Sequence, residues 1–334
     1  MNIGKKVQLD RLIGNQYSNI AGIVVVKNGV ICYEKYGDGC TADDTIHIAS
    51  VTKSIVSALI GMAIHKGYIR DLHQRVLDFF PDYIPKRGEK TIQLMTIHHL
   101  LTMTAPYKFS SEPYTKVYSS GDWTKAALDL LGGKRGSGEF QYTTVGCQIL
   151  TGILTNATGQ SVLDFASEHL FAPLEIKAPR SAEIKSKEDY FAFLKGRHSS
   201  GWVVDPGGIH TGGWGLALTA RDLAKIGQLY GNGGLWNGEA ILPAQWVKDS
   251  TRESSRWGDK PYGYLWWVVN DGAQTCYAAI GDGGNVIYVN PGQNTIVAIV
   301  STFMPRARDR MELIRGHIEP LLEEDGEVKE EPDR

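Results

Sequence analysis

The spacing of hydrophobic positions changes twice along this chain. Residues 22–36, GIVVVKNGVICYEKY, hold two β-rich runs split by Asn28-Gly29, the pair that most favours a tight hairpin turn. Apolar residues then recur at helical spacing over 50–66, 123–131, 145–158, 161–170 and 219–231. Strand signals return between Tyr264 and Phe303 as YLWWVV, QTCYAAI, NVIYVN and TIVAIVSTF. These are parted by Asn270-Asp271-Gly272, Gly281 to Gly284 and Asn290-Pro291-Gly292. A last helix is expected from about Arg310 to Leu322, followed by EEDGEVKEEPDR as a frayed acidic tail. Because sequential strands tend to neighbour one another, the expected fold class is α/β (α+β). One mostly antiparallel sheet joins strands from both chain ends and is flanked by helices, with a largely helical subdomain inserted. The expected boundaries are 1–70 with 205–324 for the sheet domain, 71–204 for the helical subdomain and 325–334 for the tail. The cleft between the two parts is the expected place for a site.

Composition narrows the function classes. With 334 residues, 42% of them hydrophobic and 22% charged, the chain has ample material for a core. A formal charge of −2 gives no electrostatic case for nucleic acid or an anionic membrane as partner. The start, Met-Asn-Ile-Gly-Lys-Lys, lacks an apolar signal region and no apolar stretch is long enough to span a bilayer, so a cytoplasmic location is expected. Cys32, Cys40, Cys147 and Cys276 lack metal-type spacing and are expected as thiols. No Walker loop, HExxH or Rossmann glycine set occurs, so no cofactor and no metal are implied.

The candidate chemistry begins at ASVTKS, residues 49–54, where the long apolar-periodic run opens. If Ser50 is the N-cap of a helix, Lys53 falls where Glu or Gln would complete a capping box and where the helix dipole disfavours a cation. Such broken local rules mark functional or strained sites. Three residues apart on a helix, the two side chains share a face with Cβ atoms roughly 5–6 Å apart. That spacing sets a nucleophile beside a base, and burial together with the positive helix end disfavours a charged ammonium at Lys53. The bland alternative is a serine cap followed by a snorkelling surface lysine.

The companion stretches favour the catalytic reading. IASVTKSIVSALIGMAI, VLDFFPDY, MTIHHLLTMTA, GEFQYTTVGCQILTGILTNATGQSVLDFASEHLFAPLEI, GLALTARDLAKIGQLYGNGG and GDGGNVIYVNP follow one another over roughly residues 20–305. In that order they resemble the serine β-lactamase and penicillin-recognising superfamily. The likeness is strongest to the branch of class C β-lactamases, family VIII carboxylesterases, D-aminopeptidases and 6-aminohexanoate-oligomer hydrolases. The resemblance implies that Ser50 is the nucleophile, Lys53 the base and Tyr142, in the position of the family's Tyr-x-Asn motif, the general acid/base. Thr144 stands where that motif has Asn, losing an amide that donates and accepts at once.

The family's third motif, Lys-Thr-Gly or His-x-Gly, has two matches by letters. His210-Thr211-Gly212 leads into the helix at 219–231, capped by Thr219 with Asp222 in its first turn, and reads as a loop beside the cleft. Asp282-Gly283-Gly284-Asn285 precedes a strand and is the better match. Its glycines admit a close backbone approach, and the Asn285 N–H paired with that of Ser50 is the expected oxyanion hole. His98 and His99 are adjacent and point to different helix faces, against a shared metal. Trp123, Trp202, Trp214, Trp266 and Trp267 are expected in the core or the cleft wall, with one or two on an acyl-binding surface.

The resulting expectation is a serine hydrolase that forms an acyl-enzyme on a small ester or amide, with weak or absent β-lactamase activity. Two alternatives stand beside it: a D-amino-acid or oligomer amide hydrolase of the same fold, and a non-catalytic binding or scaffold protein.

Overall fold

The computed structural model describes residues 1–37, 39–133, 136–271 and 274–323. The expected tail at 325–334 and the glycine of the Asn270-Asp271-Gly272 turn lie outside them. Eight strands form the main sheet: β1 (Ile20–Lys27), β2 (Val30–Tyr36), β3 (Ser255–Trp257), β4 (Lys260–Tyr262), β5 (Trp267–Asp271), β6 (Gln274–Gly281), β7 (Asn285–Asn290) and β8 (Thr295–Ser301). Their spatial order is β2-β1-β8-β7-β6-β5-β4-β3, with every pairing antiparallel. The N-terminal hairpin therefore zips onto the last strand of the chain, as the strand signals at both ends imply. Asn28 and Gly29 turn it with φ of 52° and 78°, the left-handed pair a two-residue hairpin needs.

The main helices are α1 (Ile3–Gln16), α2 (Val51–His65), α3 (Trp123–Leu130), α4 (Val145–Thr158), α5 (Lys187–Lys195) and α6 (Ala220–Gly231). A C-terminal helical stretch runs from Arg310 to Glu323 with a π-helical turn at Ile314–Ile318. Both faces of the sheet are covered, which explains why β1 reads as an unbroken apolar run rather than an alternation. Val24, Val26, Ile287, Val289 and Ala298 face α2 and α6, while Ile23, Val25, Val286, Tyr288 and Val297 face α1 and the C-terminal helix. Each such aliphatic side chain contributes about 1.5–3 kcal/mol on burial. Between α2 and α6 the chain from Val76 to Lys195 is mainly helical and packs beside the sheet through α2 and α4.

Two local expectations shift, and one helix was not foreseen. α1 was not legible as a helix, because only Leu9 and Ile13 anchor it while Ile3 and Val7 stay exposed. The strand expected from Tyr264 begins at Trp267. Leu265 adopts a left-handed φ of 61° and its carbonyl accepts from Ser54 Oγ at 2.6 Å, so tertiary contacts bend the chain there. The helix expected at 161–170 is helical only over Val162–Ala166 and then widens into a π turn at Ser167–Phe171.

Candidate active site

α2 is buried at every residue from Val51 to Ala63, so its N-terminus opens inside the molecule. Ala49, the residue before it, is held at a φ of 48°, a strained conformation for alanine and one that collects at functional sites. Ser50 sits in the N-cap position, yet its side chain makes no capping bond. Lys53 is 1% exposed, which disposes of the snorkelling reading. The Lys53 Nζ lies 2.8 Å from Ser50 Oγ, 3.2 Å from Thr144 Oγ1 and 2.8 Å from the Gly213 carbonyl oxygen. No carboxylate pairs with it among the described residues.

Tyr142 and Thr144 reach this point from the turn that precedes α4. Glu112 fixes that turn, its carboxylate accepting from the Val145 N–H and the Thr143 hydroxyl at the positive end of the helix. The Tyr142 ring centroid is 4.9 Å from Lys53 Nζ, and its hydroxyl makes no hydrogen bond among the described residues. Lys53 thus meets the Tyr142 ring. Thr144 receives the Tyr114 hydroxyl at 3.5 Å, and burial raises the pKa of that phenol.

The loop His210 to Gly215 enters the site one step beyond the HTG letters. Gly212 and Gly213 pass so close to the start of α4 that a Cβ would lie 1.9 Å from the Cys147 carbonyl and 2.5 Å from the Thr144 methyl. His47 holds the loop from behind: its Nε2 accepts from the Gly215 N–H at 3.1 Å. Burial alone lowers the pKa of His47 to about 4, in keeping with an imidazole that accepts. His210 is buried too, with its Nε2 3.0 Å from Ser181 Oγ.

The third motif is placed differently from expectation. Asp282, Gly283 and Gly284 form the turn between β6 and β7, and Asn285 is the first residue of β7. Asn285 pairs with Gly281, is 2% exposed, donates its side-chain amide to the Asp282 carbonyl at 2.8 Å and accepts from the Ser301 N–H at 2.9 Å. It is built into the sheet between β6 and β8. The strand edge at Ser50 belongs to Gly281 instead, whose Cβ, if present, would lie 3.0 Å from the Ser50 nitrogen and 2.5 Å from the Ile48 carbonyl oxygen. The three-residue turn sets this register, and the sequence motif could not.

The turn is clamped from the far side. Asn19 Nδ2 donates to the Gly283 carbonyl at 2.7 Å, and the buried Arg310 guanidinium donates to Asn19 Oδ1 at 2.6 Å and lies under Gly284. Asp282 itself is exposed, and its charge acts on Tyr190 of α5, whose phenol pKa is raised by burial first and by that charge second. Of the tryptophans, Trp202, Trp266 and Trp123 are core, whereas Trp214 and Trp267 are half-buried at the site. His99 caps its own short helix through Nδ1, and no cluster of His, Cys, Asp and Glu among the described residues could hold a metal. Sequence reasoning missed Gly281, Gly213, Glu112, Tyr114 and His47. The glycine-rich run Gly212 to Gly215 was the one visible signal, since glycines mark close backbone approach.

The chain is similar to known proteins over most of its length. A 6-aminohexanoate-dimer hydrolase of Paenarthrobacter ureafaciens is 25% identical over 304 residues, covering 84% of this chain and 72% of that protein. The class C beta-lactamase of Rhodobacter sphaeroides superposes with a TM-score of 0.71 at 15% identity, over 96% of this chain and all of that one. The octameric penicillin-binding protein homologue of Pyrococcus abyssi superposes with a TM-score of 0.67 at 20% identity, over 95% and 78% of the two chains. The beta-lactamase family profile matches residues 9–319, from within α1 to the C-terminal helix, and the chain belongs to the beta-lactamase family.

Proposed function

We propose that this protein is a serine hydrolase that cleaves small esters or amides through an acyl-enzyme on Ser50. The observation that carries this is the 2.8 Å approach of Lys53 Nζ to Ser50 Oγ within its particular hydrogen-bond set. A neutral amine has two N–H donors and one lone pair. In the mechanism the Gly213 carbonyl, which can only accept, and Thr144 Oγ1 hold the two N–H groups, and the lone pair takes the place of the N–H that Lys53 Nζ gives Ser50 Oγ in the structure. Lys53 then removes the hydroxyl proton as Ser50 Oγ bonds to the substrate carbonyl carbon. The N–H groups of Ser50 and Asp282, beside Gly281, are the donors for the developing oxyanion, each worth about 3–4 kcal/mol in the transition state. Tyr142 passes the proton from Lys53 to the leaving group as the tetrahedral intermediate collapses. Water, activated by the same base, releases the acid and restores Ser50.

An amide substrate is favoured by the 6-aminohexanoate-dimer hydrolase relative. The exposed Asp282, next to Gly281 in sequence, argues against anionic substrates, β-lactam antibiotics among them, and for neutral or amine-bearing ones. The intact hydrogen-bond set at Lys53 argues against a non-catalytic scaffold. Intact-mass spectrometry after exposure to a fluorophosphonate tests the reading: one adduct localised to Ser50 is expected, and an unmodified Ser50 overturns it.

A further inference from the structure

A run of aromatic rings leads from the reacting groups to the molecular surface, and the mechanism above leaves it unused. Tyr142 stacks on Trp267 with centroids 6.0 Å apart and planes 19° from parallel. Trp267 in turn meets Trp257 at 6.1 Å. Phe140 and Tyr262 back the run, Tyr262 lying 4.7 Å from Trp267 and Phe140 5.4 Å from Tyr262. Trp257 is 58% exposed at the end of β3, on a two-residue turn whose partner, Lys260, places its ammonium 5.6 Å from the indole. A single exposed tryptophan is ordinary. Three rings in successive contact, Tyr142 and Trp267 half-buried and Trp257 exposed, form an apolar strip that runs from the turn before α4 onto strands β5 and β3.

We propose that this strip, Tyr142 to Trp267 to Trp257, is the subsite for the leaving group, and that it takes an extended apolar alcohol or amine. The assignment rests on the serine-hydrolase reading. If Tyr142 protonates the leaving group, that group departs past the Tyr142 hydroxyl, and whatever chain it carries continues along Trp267 and then Trp257. The same assignment puts the acyl part on the other side of Ser50, away from Tyr142. The strip therefore acts only on acylation, because the leaving group has gone before water attacks.

The test uses acetate esters of unbranched alcohols from 1-propanol to 1-octanol, whose leaving groups have closely similar acidity, with wild type, Trp257→Ala and Trp257→Phe. In wild type kcat/KM rises by roughly two- to threefold per methylene until the chain outruns Trp257, since each methylene gains burial. Trp257→Ala flattens that slope and Trp257→Phe restores part of it. Where deacylation limits turnover, kcat stays common to the series. A second series that lengthens the acyl chain of propyl esters keeps its wild-type slope in Trp257→Ala. Equal slopes for wild type and Trp257→Ala in the alcohol series, or equal flattening in both series, overturn the subsite. Fluorophosphonate labelling of the same samples separates the two levels: a labelled Ser50 with an unchanged slope sinks the subsite alone, while an unlabelled Ser50 sinks the serine mechanism beneath it.

Discussion

The carbonyl oxygen of Gly213 accepts a hydrogen bond from the Lys53 amine at 2.8 Å, across 160 residues of chain. This contact aims the amine, because a carbonyl oxygen can only accept and so commits one N–H. With Thr144 taking the second, the remaining valence points at Ser50. Ser50→Ala and Lys53→Ala should each lower kcat/KM for an activated short-chain ester by about a thousandfold or more. The double variant should be little worse than either, since residues acting as one unit fail together. Circular dichroism should show both single variants folded. Unchanged turnover in Ser50→Ala ends the proposed mechanism.

Tyr142→Phe keeps the ring that packs on Trp267 and removes only the hydroxyl. Amide hydrolysis should fall by about a hundredfold or more, whereas p-nitrophenyl esters, whose leaving group hardly needs a proton, should fall much less. The ratio of the two rates is the measurement. Equal losses remove the relay role from Tyr142.

Asp282 sits on the turn after Gly281, exposed, and its charge acts on Tyr190. At about 4 Å and an effective dielectric near 20, one unit charge is worth at most about 4 kcal/mol, and solvent screening reduces this. Asp282→Lys should therefore raise acylation by carboxylate-bearing esters over matched neutral esters by roughly tenfold or more. A ratio that does not move, or efficient cephalosporin hydrolysis by wild type, removes charge selection at this position.

His47 carries a pH dependence of stability. Its pKa falls from 6.5 to about 4 because burial disfavours the imidazolium, so the unfolded chain binds a proton between these values that the folded protein refuses. The stability associated with the neutral ring is complete above pH 6.5 and is lost as pH falls toward 4. The loss is about 3 kcal/mol at most for this group. Urea midpoints measured across that window should decline with falling pH, and His47→Gln, which keeps an acceptor for the Gly215 N–H, should decline less steeply. Identical pH slopes for the two proteins rule His47 out as the source.

Much of this molecule was determined locally. The hairpin at Asn28-Gly29 follows from two residues that tolerate left-handed φ, and α6 from the Thr219 and Asp222 capping box. The strands β6 to β8 follow from short β-rich runs between turn signals. Ser50 and Lys53 could be paired from sequence because one helical turn brings them together whatever surrounds the helix. Tyr142 was legible only through the order of landmarks, since 89 residues separate it from Lys53 and no local rule spans that gap.

The tertiary structure decided the rest. Which backbone lies against Ser50 depends on the register across the Asp282–Gly284 turn, and a slip of a few residues between Asn285 and Gly281 is invisible to composition. The acceptors of Lys53, the Glu112 anchor beneath α4 and the His47 brace behind Gly213 are long-range polar contacts. Side chains make such contacts only after packing has fixed their distances and excluded water. Hydrophobic periodicity specifies which face of an element is buried, and it leaves open which distant backbone atom that face will meet.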